Sequence, residues 1–209
     1  MLAYTGGSEP AYATSNDHLV SRAEPRSTNP AYRSYVRRKL TLTPFDCGKI
    51  TVFPDLGPES SVSIYAKNGK YVATELVAEG QGFWQNWKRR DHLKVSRIDA
   101  EIPAAKARAW QHMIRRLLSN VGPSPRHVRR KSEVEEVVAV GKIRLFELDL
   151  QTRKTVLSGD VPREPPGPKT QSAESIYQLV CYYCEKPSQR RDLAVQVERE
   201  VARVFGPVR

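Results

Sequence analysis

The sequence predicts an α+β fold, an antiparallel sheet of about five or six strands with a mid-chain helix and two C-terminal helices packed on one face. Short runs of alternating apolar and polar residues precede a long amphipathic stretch at mid-chain, and two stretches of helical period follow a proline-rich connector. There is no internal repeat, and this order of strands then helices points to one domain rather than two.

Residues 1–35, with Gly6, Gly7, Pro10, Pro25 and Pro30 among small polar residues, show no sustained apolar period and read as a mostly irregular N-terminal arm. Residues 36–209 read as a single α+β domain with flexible linkers near 122–136 and 159–171. Ile50 and Val52, then Val62 and Ile64, then Val72, Thr74 and Leu76 alternate with polar neighbours as half-buried strands do. Asn68-Gly69, between Lys67 and Lys70, joins the last two as a hairpin, because both turn residues tolerate positive φ.

A further strand is expected over Leu93–Ile98. Pro103 then suits the first position of a helix, where its missing amide costs nothing. That helix runs to about Ser119 and presents Ala107, Trp110, Met113, Ile114, Leu117 and Leu118 as one apolar stripe. Extended character resumes over Val137–Leu150, and a turn leads to a strand through Leu157. Past Pro162, Pro165, Pro166 and Pro168, a helix from about Ser172 places Ile176, Leu179, Val180 and Tyr183 on one face. A second helix, beyond Pro187, does the same with Leu193, Val197, Val201, Val204 and Phe205.

No run approaches the roughly 20 apolar residues of a membrane-spanning helix, no glycine period suggests collagen, and the polar start lacks the apolar core of a secretory signal. The expected protein is soluble and cytoplasmic. Its cysteines, Cys47, Cys181 and Cys184, are odd in number and too few for a disulfide scaffold, so reduced thiols are expected. Cys181 and Cys184 have the spacing of half a zinc site or of a redox pair, but no second pair stands at ligand spacing. Cys184 falls at the edge of the Ile176 and Val180 stripe, as a small buried hydrophobe would. No metal and no cofactor are expected.

Phosphate-binding loops, paired-His zinc helices, nucleophile elbows and dinucleotide fingerprints are absent, and no catalytic residue stands out. His18, His92, His112 and His127 have no obvious partners. Asp91 and His92 are adjacent, and neighbours on a strand point to opposite faces. Ser132, after Arg129-Arg130-Lys131, fits the taste of basic-directed kinases, though such matches are common by chance.

Charge is the most informative feature. The chain carries 34 Lys and Arg against 23 Asp and Glu, a formal net charge of +11. Residues 81–131 hold 13 basic and 3 acidic side chains, which accounts for all but one unit of that surplus. Within this quarter, Trp84 and Trp87 precede or flank Lys88, Arg89 and Arg90, the mid-chain helix carries Arg108, Arg115 and Arg116 opposite its apolar stripe, and Arg129, Arg130 and Lys131 follow. The helix has no acid after Glu101, although like charges spaced along one helix face repel. An external anion would relieve that repulsion, and tryptophans beside phosphate-binding cations form a platform for single-stranded nucleic acid. The competing reading neutralises these cations with the opposite sheet face or with acids of the C-terminal helices, and packs both tryptophans in the core.

The expected function is therefore non-catalytic binding of a polyanion, RNA or single-stranded DNA foremost, through residues 83–131. The alternatives are a small enzyme or ligand-binding domain with a pocket between sheet and helices, or an adaptor for an acidic protein.

Overall fold

The computed structural model describes residues 19–20, 30–41, 45–54, 57–80, 82–85, 94–119, 121–122, 144–152, 155–160, 168–185, 195–196, 198–199 and 202–203. Its strands are β1 (Leu19–Val20), β2 (Gly48–Pro54), β3 (Ser60–Lys67), β4 (Lys70–Ala78), β5 (Val95–Ile102), β6 (Val121–Gly122), β7 (Arg144–Gln151) and β8 (Val156–Asp160). The helices are α1 (Pro30–Lys39), α2 (Gly82–Gln85), α3 (Ala104–Leu118) and α4 (Pro168–Cys184). The strands form one sheet in the order β5-β4-β3-β2-β7-β8-β1-β6. The six longer strands are antiparallel to their neighbours, and the two-residue strands β1 and β6 close one end as a parallel pair. This is the α+β architecture that the strand and helix patterns predict.

The hairpin between β3 and β4 turns at Asn68 and Gly69, with φ of 51° and 77°, so both central residues take the left-handed conformation that matches strand twist. Alternation along the strands sorts side chains onto two faces. One face carries Ile50, Val62, Ile64, Ala73 and Leu148, which cluster with Trp110 and Ile114 of α3 and with Ile176 and Val180 of α4. Trp110, fully buried, donates its indole N–H to the Ile176 carbonyl at 3.0 Å, which ties the two helices together. Gly48, at φ +120°, lets the tryptophan ring approach the β2 backbone: a Cβ there would stand 3.1 Å from the ring.

The other face is covered by a helix that the sequence reading places in the N-terminal arm. The boundary at residue 35 falls inside α1, whose Tyr32, Tyr35 and Val36 pack with Leu40, Phe53, Leu76 and Phe83 in a second cluster. The same helix buries Arg33, a residue that periodicity counts as polar. Its guanidinium is satisfied by Glu147 of β7, so its stem serves as core while its charge is paired.

Three further boundaries differ from expectation. β5 begins at Val95 and runs to Ile102 rather than over Leu93–Ile98, because its full length pairs with β4 until Pro103 removes the next amide. The proline connector is shorter at both ends: β8 extends to Asp160, and α4 begins at Pro168, a residue whose fixed φ suits a first helical turn. At 122, Gly122 pairs with Val20 in β6 and β1, and the rest of the 122–136 linker lies outside the described residues. Residues 195–196, 198–199 and 202–203 are helical, whereas Leu193, Val197, Val201, Val204 and Phe205 lie outside the described residues. Among the described residues no helix is long and apolar enough to cross a membrane.

Candidate polyanion interface

Helix α3 positions the cations that sequence reading singles out. Its buried residues, Ala107, Trp110, Met113, Ile114, Leu117 and Leu118, are the predicted stripe, and Arg108, Arg115 and Arg116 are exposed on the other side, with His112 half-buried. The Ser119 amide closes the C-terminal end on the Arg115 and Leu117 carbonyls. Arg115 and Arg116 sit in the last turn, where the negative end of the helix dipole favours them. Arg108 lies far from that end and gains nothing from it.

Six other cations among the described residues are ion-paired, whereas Arg38, Lys39, Lys67 and Lys94 have no carboxylate within ion-pair distance there. Arg33 and Arg37 share the Glu147 carboxylate, with Arg33 Nε at 2.7 Å and Arg37 Nε at 2.6 Å. Lys49 lies 3.2 Å from Asp149 and donates to Thr41 Oγ1 at 2.9 Å. Lys70 meets Glu101 at 2.8 Å and Arg97 meets Asp99 at 2.8 Å. Lys106, on α3 itself, reaches Glu198 at 3.0 Å and lies over the Tyr183 ring. By contrast, among the described residues no carboxylate stands within ion-pair distance of Arg108, Arg115 or Arg116.

The neutralisation that the competing reading requires is therefore partial. The C-terminal segment supplies Glu198 to Lys106, and the opposite sheet face spends Glu147 and Asp149 on α1 and β2. Arg97, also from the basic quarter, lies on that opposite face, where it bonds Asp99 and the Tyr65 hydroxyl. Burial pushes the Asp99 carboxyl up, but hydrogen bonds from Arg97 and Thr74 outweigh it and hold the group below the usual carboxylate range.

The remaining predicted members are distributed as follows. Trp84 belongs to α2, whose Phe83 packs against Tyr35 of α1 with ring centroids 5.7 Å apart, on the sheet face away from α3. The turn into α2 is fixed by Glu59, whose carboxylate accepts the Phe83 amide at 2.5 Å and the Tyr32 hydroxyl. Trp87, Lys88, Arg89, Arg90, Arg129, Arg130 and Lys131 lie outside the described residues, as do the Asp91-His92 pair and Ser132.

A polar cluster that sequence reading missed lies under α4. Glu75 of β4 is directed to the apolar face, where the Cys181 thiol bonds it, and Tyr177 bonds Ser60 at 2.8 Å. Burial raises the Glu75 carboxyl above its ordinary value, against the Cys181 hydrogen bond and with the nearby Glu185 charge. Burial likewise pushes Cys184 up to about 12, with Glu75 and Asp99 adding to it, and Cys47 up to about 11, with Asp46 adding to it. Burial and then Glu75 raise Cys181 as well. The three cysteines are free, and among the described residues no group of His, Cys, Asp and Glu is arranged to hold a metal ion.

No family model, curated protein or solved structure matches this chain. The functional reading therefore rests on the chemistry of the surface itself.

Proposed function

We propose that the chain is a non-catalytic polyanion-binding protein that engages the phosphates of RNA or single-stranded DNA through the outer face of α3. The carrying observation is the charge pairing along one helix: Arg108, Arg115 and Arg116 are exposed on α3 with no described carboxylate partner, while Lys106 of the same helix takes Glu198. Exposed guanidiniums on one rigid helix offer forked donors to phosphate oxygens, and counterion release supplies the driving force. The helix is anchored by a buried Trp110 and Ile114, so its cations are presented with little backbone entropy left to lose on binding.

Trp84 belongs to α2, on the sheet face away from α3, and Trp87 with the cations at 88–90 and 129–131 lies outside the described residues, so the reading rests on the α3 arginines. Fluorescence anisotropy with labelled oligonucleotides of RNA and DNA tests the reading. Replacing Arg108, Arg115 and Arg116 together by Ala should abolish most of the affinity at low salt while leaving circular dichroism unchanged. Wild-type protein that binds neither oligonucleotide nor heparin would exclude a polyanion function, and full retention of affinity by the triple variant would remove α3 from the interface.

A further inference from the structure

Strand β5 forms one end of the sheet, and β4 is its only partner among the described residues. Antiparallel ladders alternate, so each residue directs its amide and carbonyl either to the existing partner or away from it. The Glu79 amide bonds the Lys94 carbonyl at 3.0 Å, and on the far side of β4 the Ala78 amide bonds the Glu59 carbonyl at 2.9 Å. Carried through the unbroken β4–β5 register, this phase turns the backbone groups of Ser96, Ile98 and Ala100 toward β4. Those of Val95, Arg97, Asp99 and Glu101 face away from β4, toward an edge that no strand among the described residues pairs. The strand contains no proline or lysine, residues that commonly blunt such edges.

Its side chains add a second, independent observation. Ile98 is 46% exposed, among the few large apolar residues left open to solvent. Arg97 and Asp99 flank it on the other face of the sheet, with side chains 42% and 41% exposed. This arrangement is self-complementary. In an antiparallel pairing of two copies with Ile98 opposite Ile98, Arg97 of each copy falls opposite Asp99 of the other, and Val95 falls opposite Glu101. Sliding one copy by a single ladder repeat sets Arg97 against Arg97 or Asp99 against Asp99, which like-charge repulsion disfavours. A slide of one residue would oppose outward groups with inward ones.

We propose that β5 is a homodimerisation edge, joining two copies of this chain into one continuous sheet about a two-fold axis at Ile98. The contact is isologous and consumes the edge on both copies, so it closes at two. Each Arg97–Asp99 pair becomes part of a four-charge cluster across the axis, and the two exposed Ile98 side chains cover each other.

Sedimentation velocity over a concentration series of the full chain, with charge-reversed variants, tests this. Wild-type protein should show a monomer–dimer equilibrium. Arg97→Glu and Asp99→Arg should each weaken it by about tenfold or more, because each places two like-charge pairs across the axis. The double reversal R97E/D99R should recover the dimer, since it restores opposite charges in the same register. Ile98→Cys should form a reducible dimer under mild oxidation, because non-hydrogen-bonded antiparallel pairs hold Cα atoms about 4.5 Å apart, within disulfide reach. Unmutated protein is the control for the native cysteines. A wild-type chain that stays monomeric throughout, a double reversal no better than the single ones, or a folded Ile98→Cys variant that fails to cross-link would each overturn the proposal. If Asp99→Arg fails to fold, having lost the Thr74 contact, the Ile98→Cys result decides.

Discussion

Arg33 of α1 and Glu147 of β7 are buried against each other, with Nε 2.7 Å from the carboxylate across a sequence separation of 114 residues. The Glu147 side chain is fully buried and also accepts from Arg37, so one carboxylate fastens the helix to the sheet through two guanidiniums. Breaking a buried pair from one side leaves an uncompensated charge. Glu147→Ala should therefore cost about 3–5 kcal/mol, read as a lowered urea midpoint. Replacing Arg33 and Glu147 together by Met and Leu should recover much of that loss.

Glu75 should make stability fall with rising pH over a defined window. Its folded carboxyl is raised above the ordinary value, first by burial. Between the ordinary carboxylate range and the raised value, the folded protein holds a proton that the unfolded chain has released, so stability drops as pH rises. Above the raised value the full cost of the buried charge is present. Glu75→Gln should raise the melting temperature at neutral pH and have little effect at acid pH, where the carboxyl is protonated in both states. An unchanged difference at both pH values would mean that the effect is packing rather than ionisation.

The thiols should be inert in the folded state. With Cys47 at about 11 and Cys184 at about 12, the reactive thiolate is scarce at neutral pH. Iodoacetamide should label folded protein slowly and unfolded protein quickly, counted by mass spectrometry. Replacing Cys181 and Cys184 together by Ala should leave a folded chain, and chelators should not change its melting curve.

On α3 the two faces should separate stability from binding. Leu117 and Ile114 are buried in the main cluster, so replacing either by Ala should cost about 2–5 kcal/mol through lost transfer energy and a residual cavity. Arg115 is exposed, and Arg115→Ala should change stability by about 0.5 kcal/mol or less. Denaturation midpoints in which Arg115 matters as much as Leu117 would make that arginine a structural partner.

What was legible in the sequence was local. Asn68-Gly69 announces its hairpin because the turn chemistry is confined to two residues, and the α3 stripe is visible because its apolar period is contiguous. Helix α1 was hidden because part of its buried face is Arg33, whose burial makes sense only with Glu147 in place. The limits of β5 blurred for a different reason. Arg97, Asp99 and Glu101 alternate with Ile98, Ala100 and Ile102, but the strand is exposed on both faces, so its second half is marked by charge and a small residue rather than by a run of large apolar ones. Of the candidate interface, the sequence revealed the absence of acids along α3, but not that Lys106 takes Glu198 or that Arg97 lies across the sheet from Arg115.

Phosphate binding by α3 is tested by the salt dependence of oligonucleotide binding, measured by anisotropy from low to moderate ionic strength. For wild-type protein, log affinity should fall linearly with log salt, and Arg115→Ala and Arg116→Ala should each flatten the slope by about 0.7, the release expected for one single-strand phosphate contact. A salt-independent affinity, or slopes identical in wild type and both variants, would contradict phosphate binding by α3.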